Sequence, residues 1–339
     1  MRYKNKNNLK RDVKLLYELY QGRVLTIDQL TPRFTYKKSY MYKLVSNLFK
    51  SGLILTGDIK GFTNESGIRG RYYRISNKGI KILKENGYPD LKYNAEDLKV
   101  SDVRVPIEIL FNDVHYEMTK HGWRVYGSRE SKEKYGINRT DNLNGVLSSP
   151  VFNREYPFYI FQFQFEMSEQ YIGRIIGEIN RYKFENIALF TTTKEMFLKV
   201  TNIMMNKAEI FTYNTFMVLP LQYGLQYLLN YAEGDMLFNF LEDEYDIYKV
   251  EKEEGVNYEA DFEHIVLYNG EEYYLANFLD FNLVNFHRAK YYRKEHYEKD
   301  GRKILALIND RMNYLEILRN VHHTEYIHVP AEELMNYLS

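Results

Sequence analysis

The sequence predicts an α+β multidomain chain: a basic front segment followed by two tandem α/β modules. Three observations predict it. The chain has 339 residues, more than a single hydrophobic core usually organises. Its zero net charge is divided, because residues 1–87 carry 19 Lys and Arg against six Asp and Glu, a net of +13, and the remainder carries −13. The apolar spacing reads as helices around one β-hairpin in the front segment, and as strands alternating with helices behind it.

Composition narrows the class further. At 45% hydrophobic and 27% charged residues the chain is globular. No run of about 18 apolar residues occurs, so no membrane partner is expected. The opening MRYKNKNNLKRD lacks the apolar centre of a secretory signal, which predicts a cytoplasmic protein. With no cysteine, thiolate catalysis and cysteine-ligated metals are excluded.

The front segment, residues 1–87, reads element by element. Leu9, Val13, Leu15, Leu16, Leu19 and Tyr20 recur at helical spacing until Gly22. Val24-Leu25-Thr26 is a short extended piece, and Thr26 can cap a second helix over Ile27–Leu30, ended by Pro32. A third helix over about 36–51 has Met41, Leu44, Val45, Leu48 and Phe49 as its apolar set. Its other face carries Lys37, Lys38, Ser39, Tyr40, Tyr42, Lys43 and Asn47. Gly52 closes it. Leu53–Leu55 and Arg71–Ile75 are then the two strands of a hairpin around the polar stretch Gly57–Gly70, and Ser76 caps a fourth helix that ends at Gly87.

Helix, helix, helix, strand, loop, strand, helix is the winged helix-turn-helix order. The stretch LVSNLFKSGLI…GRYYRISNKGIKIL resembles that family over about 80 residues. The resemblance implies double-stranded DNA as partner. The third helix would meet the major groove through Lys37, Lys38, Ser39, Tyr40, Tyr42, Lys43 and Asn47, and the wing would reach the backbone through Lys60, Arg69 and Arg71. The net charge of the segment agrees, since neutralising phosphates supplies most non-specific affinity. A homodimer is expected, because one such unit contacts few base pairs.

Residues 88–105 read as a linker, and two α/β modules follow at 106–232 and 233–339. In the first, a helix over Ile107–His121 precedes a strand at Trp123–Tyr126, a polar stretch 128–144, and paired strands at Gly145–Leu147 and Phe158–Phe165. Helix 168–183, strand Ile187–Thr191, helix 192–205 and strand 211–219 complete it. The order returns in the second module: strands within EHIVLYNGEEYYLANFLDF, helix 282–299, strand ILALI, helix NDRMNYLEILRN and strand YIHV. IALFTTTKEMFLKV and LALINDRMNYLEIL align without gaps, which points to an internal duplication. An Asp precedes each first hairpin (Asp141, Asp261) and an acid ends each central strand (Glu166, Asp280). The acidic run 241–263 reads as a solvated loop.

Such modules are similar to the PD-(D/E)XK nuclease core. The whole layout resembles the replication-relaxation family of bacterial plasmid proteins, on TDNLNGVLSSP, FYIFQFQFEMSE and IGRIIGEINRY. Cleavage in such a core needs an Asp on one strand and an acid-x-Lys pair on the next, holding Mg²⁺. Asp141 fits the first role, but the acid-x-Lys place reads Gln162-x-Gln164, with Glu166 as a shifted acid. The second module offers Asp261, Asn277 and Asp280, again without a lysine. The modules are therefore expected to be non-catalytic, with no metal and no cofactor, serving dimerisation or a protein partner on their acidic surface. The rival is a Mg²⁺-dependent nuclease using Asp141, Gln164 and Glu166. His287, His296, His322 and His323 are expected as scattered surface residues, and no phosphate-binding G-x-x-x-x-G-K-[ST] loop occurs. The resemblance places the protein in plasmid or phage replication, transfer or transcription control.

Overall fold

A computed structural model describes residues 6–59, 70–150, 154–161, 169–182, 184–205, 213–229, 235–252, 262–310 and 321–338. The chain divides into two compact units, Met1–Tyr116 and Glu117–Ser339. Among the described residues it is a mixed α+β protein of thirteen helices and three sheets, and no helix is long and apolar enough to cross a membrane.

The first unit runs α1 (Lys6–Gly22), β1 (Leu25–Thr26), α2 (Ile27–Phe34), α3 (Lys38–Lys50), β2 (Ile54–Asp58), β3 (Arg71–Ile75) and α4 (Asn77–Glu85). The sheet order is β1-β3-β2, antiparallel throughout, with Leu25 opposite Tyr73 and Asp58 opposite Arg71. Local chemistry sets the boundaries. Thr26 Oγ1 accepts the Gln29 N–H while the Gln29 side chain accepts the Thr26 N–H, each at 3.2 Å, a reciprocal cap for α2. Ser76 Oγ accepts the Gly79 N–H at 3.1 Å to start α4. Gly52 turns the chain out of α3 at φ +69°, a conformation that suits a residue without Cβ. Leu16, Leu19, Leu30, Met41, Leu44, Leu48, Ile75 and Leu83 share the core.

Three expectations for this unit are corrected. Pro32 does not end α2, which continues to Phe34 because that ring is buried; Thr35, at φ 55°, ends it. Phe49 stands 48% exposed instead of joining the core. The segment 88–105 is not a linker. Ala95 and Leu98 belong to the core, and Val100 and Val105 pack with Val24, Tyr72 and Ile109. Helix α5 (Val105–Lys120) continues this packing, since Asn112 Nδ2 donates to the carbonyls of Gly22 and Val24 at 2.9 and 2.7 Å. The division between the units therefore falls inside α5, later than the boundaries read from the sequence.

In the second unit, the first sheet comprises β4 (Arg124–Gly127), β5 (Gly145–Ser148), β6 (Glu155–Phe161), β7 (Asn186–Thr191) and β8 (Thr215–Pro220), adjacent in that order. Helices α6 (Ser128–Lys134), α7 (Glu169–Tyr182), α8 (Lys194–Met205) and α9 (Leu221–Leu229) accompany it. The second sheet comprises β9 (Tyr248–Val250), β10 (Ile265–Tyr268), β11 (Glu271–Asn277), β12 (Lys303–Ile308) and β13 (Thr324–His328), with helices α10 (Met236–Tyr245), α11 (Leu283–Tyr291), α12 (Lys294–Asp300) and α13 (Ala331–Tyr337). Both sheets follow one plan. Three antiparallel strands come first, then two strands added in parallel.

The plan extends to register. Phe158 of β6 lies opposite Ala188 of β7, and Ala276 of β11 lies opposite Ala306 of β12. Both correspondences, 158 to 276 and 188 to 306, are 118 positions apart. Leu147 opposite Tyr156 and Ile265 opposite Tyr274 repeat the same offset, which is also that of the gapless sequence alignment. Of the acids set in parallel, Glu166 and Asp261 lie outside the described residues. The expected helix 282–299 is broken into α11 and α12 at Tyr292-Arg293. The acidic run 241–263 begins with the end of α10 and includes β9, so it is not simply a loop. The expected helix over 309–320 falls mostly outside the described residues.

Candidate functional site

Helix α3 separates its side chains cleanly. Met41, Leu44, Val45 and Leu48 are buried, while Lys37, Lys38, Ser39, Tyr40, Tyr42, Lys43, Ser46, Asn47, Phe49 and Lys50 are exposed. At about 100° per residue the exposed α3 side chains occupy one half of the helix surface. That half contains no acidic residue. Every α3 residue expected at a site is therefore on the open face.

Several of these side chains are held by neighbours. Lys38 Nζ is 2.5 Å from Asp28 Oδ1 of α2, and this hydrogen-bonded pair holds the lysine above its ordinary pKa. Arg11 of α1 donates to the Tyr40 hydroxyl at 2.7 Å, and the Tyr36 ring meets Tyr40 edge-on at 5.1 Å. Both pairs are solvent-exposed and contribute little to stability; their effect is to fix the start of α3. Lys43 and Asn47 make no side-chain hydrogen bond to a described residue.

The hairpin β2–β3 lies beside α3. Tyr42, Val45 and Phe49 of the helix, with Thr56, Arg71 and Tyr73 of the hairpin, line a shallow groove. Burial, with Tyr42 alongside, holds the Tyr73 phenol above its ordinary pKa. Arg71 forms a cross-strand ion pair with Asp58 at 3.3 Å, so its charge is partly offset. Lys60 and Arg69 lie outside the described residues.

The residues considered for nuclease chemistry are placed differently. Asp141 is buried. Its Oδ2 accepts the Tyr182 hydroxyl at 2.6 Å and faces Arg181 at 3.5 Å, and its backbone carbonyl accepts Lys132 Nζ at 2.5 Å. Next to it, Asn142 donates its backbone N–H and its side-chain amide to the two oxygens of Glu178, each at 2.7 Å. Burial raises the Glu178 pKa, and the Asp141 carboxylate adds to the shift. Sequence reading missed Glu178 and Lys132. The signal was present for the first, since Glu178, Arg181 and Tyr182 fall on one face of α7 at three- and four-residue spacing.

This arrangement pins α7 to the loop before β5, with protein donors on Asp141 Oδ2 and on both oxygens of Glu178. Gln164, Glu166 and Asp261 lie outside the described residues.

Asn277 and the strap Phe281-Asn282, which follows Asp280, link the two sheets of this unit. Asn282 Oδ1 accepts the Phe216 N–H of β8 at 2.9 Å, and the Phe281 carbonyl accepts the Val218 N–H at 3.2 Å. Asp280 is buried beneath this strap and accepts the Asn282 N–H at 2.8 Å. Burial, then the charge of Glu263, pushes its pKa up to about 7. Asn277 Nδ2 donates to the Tyr227 hydroxyl of α9 at 2.6 Å.

The histidines are not all surface residues as expected. His287 is buried, and burial lowers its pKa. His296 Nδ1 accepts the Arg293 N–H, and His323 stacks on Tyr297 at 4.2 Å, ahead of β13. Among the described residues no group of three His, Asp or Glu side chains is placed to hold a metal ion.

In comparisons with known proteins, no family model matches the chain, and neither a curated protein nor a solved structure is significantly similar to it.

Proposed function

We propose that the chain is a sequence-specific double-stranded DNA-binding protein, with the first unit as a winged helix-turn-helix. In this reading α3 is the recognition helix and the β2–β3 hairpin is the wing. The single observation that carries it is the exposed face of α3: Lys37, Lys43, Asn47 and Lys50 stand open, with hydroxyls between them and no carboxylate. A helix fits the major groove, where amines and amides meet base edges and phosphates. The strong positive balance of residues 1–87 supports the same partner.

The second unit, with its two sheets of one plan, serves as a non-catalytic body for dimerisation or for holding a partner. Its resemblance to nuclease modules and the register shared by the sheets support an origin by duplication. The biological setting that fits is replication, transfer or transcription control of a bacterial mobile element.

Binding of the full chain to random-sequence duplex, followed by fluorescence anisotropy across a salt series, tests the proposal. Affinity that falls steeply and linearly on a log–log plot is expected, because each neutralised phosphate releases counterions. Negligible affinity at low salt would overturn it, leaving a protein-binding adaptor.

A further inference from the structure

We infer that the duplex taken by α3 presents an A·T step in its major groove, with Asn47 as the residue that selects adenine. This rests on the DNA-binding reading and goes beyond it by naming the base. The argument is one of chemical inventory. Guanine is read by the guanidinium fork of arginine or by lysine; α3 carries no arginine, and of its lysines Lys38 is held by Asp28 while Lys50 lies in the last turn. Adenine is read by a planar amide that accepts from N6 and donates to N7. Asn47 is the one amide on the exposed half of the helix, and its side chain makes no hydrogen bond to a described residue.

The neighbours divide the remaining work. Lys38 is engaged by Asp28, and the Tyr40 hydroxyl by Arg11, so neither is the first choice for a base edge. Lys43 lies one turn before Asn47 on the same stripe and supplies a mobile point charge for a phosphate. On the hairpin side of the exposed half, Tyr42 is 52% and Phe49 48% exposed, seven residues apart and therefore aligned along the axis. Aromatic surface placed there matches the C5-methyl of thymine, the apolar group that marks A·T pairs in the major groove.

Selection from a randomised duplex pool, followed by anisotropy on the enriched site, tests this. The expected result is an A·T-containing core at which 7-deazaadenine, which lacks the N7 acceptor, weakens binding by roughly ten-fold. Asn47→Ala should bring at least the same loss on the enriched site and abolish discrimination against the 7-deaza duplex. Replacing thymine by deoxyuridine should cost a smaller factor, about two- to five-fold, that disappears in Tyr42→Ala. A G·C core, or an Asn47→Ala protein that still prefers adenine, overturns the assignment while leaving DNA binding in place. Failure of the wild-type chain to bind any duplex overturns the parent reading, and this one with it.

Discussion

Asn282 Oδ1 accepts two backbone N–H groups, that of Phe216 at 2.9 Å in β8 and that of Val284 at 3.2 Å in the first turn of α11. One oxygen thus closes the outer side of a strand in the first sheet and caps a helix of the second. Asn282→Ala removes the cap and strands a buried N–H at the same time. The sum should be about 2–4 kcal/mol of lost stability. Urea unfolding of the full chain measures it. A loss below about 0.5 kcal/mol, the level of an ordinary surface change, would mean the strap is not structural.

Asp280 gives that seam a pH dependence whose sign is fixed by its environment. Burial and Glu263 raise the folded-state pKa from 3.8 to about 7, so the folded protein favours the neutral acid. Its stabilising contribution is therefore fully present below about pH 4 and is lost as pH rises from there through about 7. Asp280→Asn keeps an acceptor for the Asn282 N–H without the charge. It should flatten this part of the stability–pH curve and be more stable than wild type at pH 8 by a few kcal/mol. Equal slopes for the two proteins between pH 4 and 7 would exclude this role for Asp280.

Much of the fold was legible where signals are local. The Thr26–Gln29 cap, the Ser76 cap and the left-handed glycines at 52 and 87 mark boundaries within a few residues of where they fall. The alignment offset was legible because the two sheets keep equal spacing from the hairpin to the fourth strand. Helix α6 was missed because SRESKEK has almost no apolar period to see. The strand β9 has three residues and exists only through its pairing with β10, a tertiary fact. For the site, exposure of α3 followed from its period except at Phe49, whereas the Arg11–Tyr40 and Asp28–Lys38 contacts depend on how three helices pack.

Asp141 provides a test of the nuclease alternative. Its carboxylate receives Tyr182 and Arg181, and its carbonyl receives Lys132, so Asp141→Ala should cost about 1–3 kcal/mol of stability in the second unit. Tyr182→Phe should lose about half as much. Incubation of supercoiled plasmid with Mg²⁺ or Mn²⁺ provides the second readout, and no Asp141-dependent nicking is expected. Nicking that vanishes in Asp141→Ala, with the fold intact by circular dichroism, would establish the enzyme.

The exposed lysines of α3 should act on affinity without acting on the fold. Lys37 and Lys43 are exposed, and neither side chain is paired with a described residue. The double change to alanine should reduce the slope of log affinity against log salt by about 2. Thermal stability should stay within about 0.5 kcal/mol of wild type. An unchanged salt slope would move the DNA contact away from this face.

Asp28 makes the opposite prediction. Its carboxylate is the only acid shown in contact with an α3 lysine among the described residues, holding Lys38 Nζ at 2.5 Å on an open surface. A DNA phosphate arriving at Lys38 must compete with it and be repelled by it. Asp28→Asn frees the lysine and removes the repulsion, at a cost of about 0.3–1 kcal/mol for a lost negative charge in the first turn of α2. Affinity for random duplex should therefore rise by about two- to five-fold at low salt, with the gain shrinking at high salt as charges are screened. Anisotropy at two salt concentrations reads both effects. Weaker binding by Asp28→Asn would show that Asp28 positions Lys38 for the duplex, in place of restraining it.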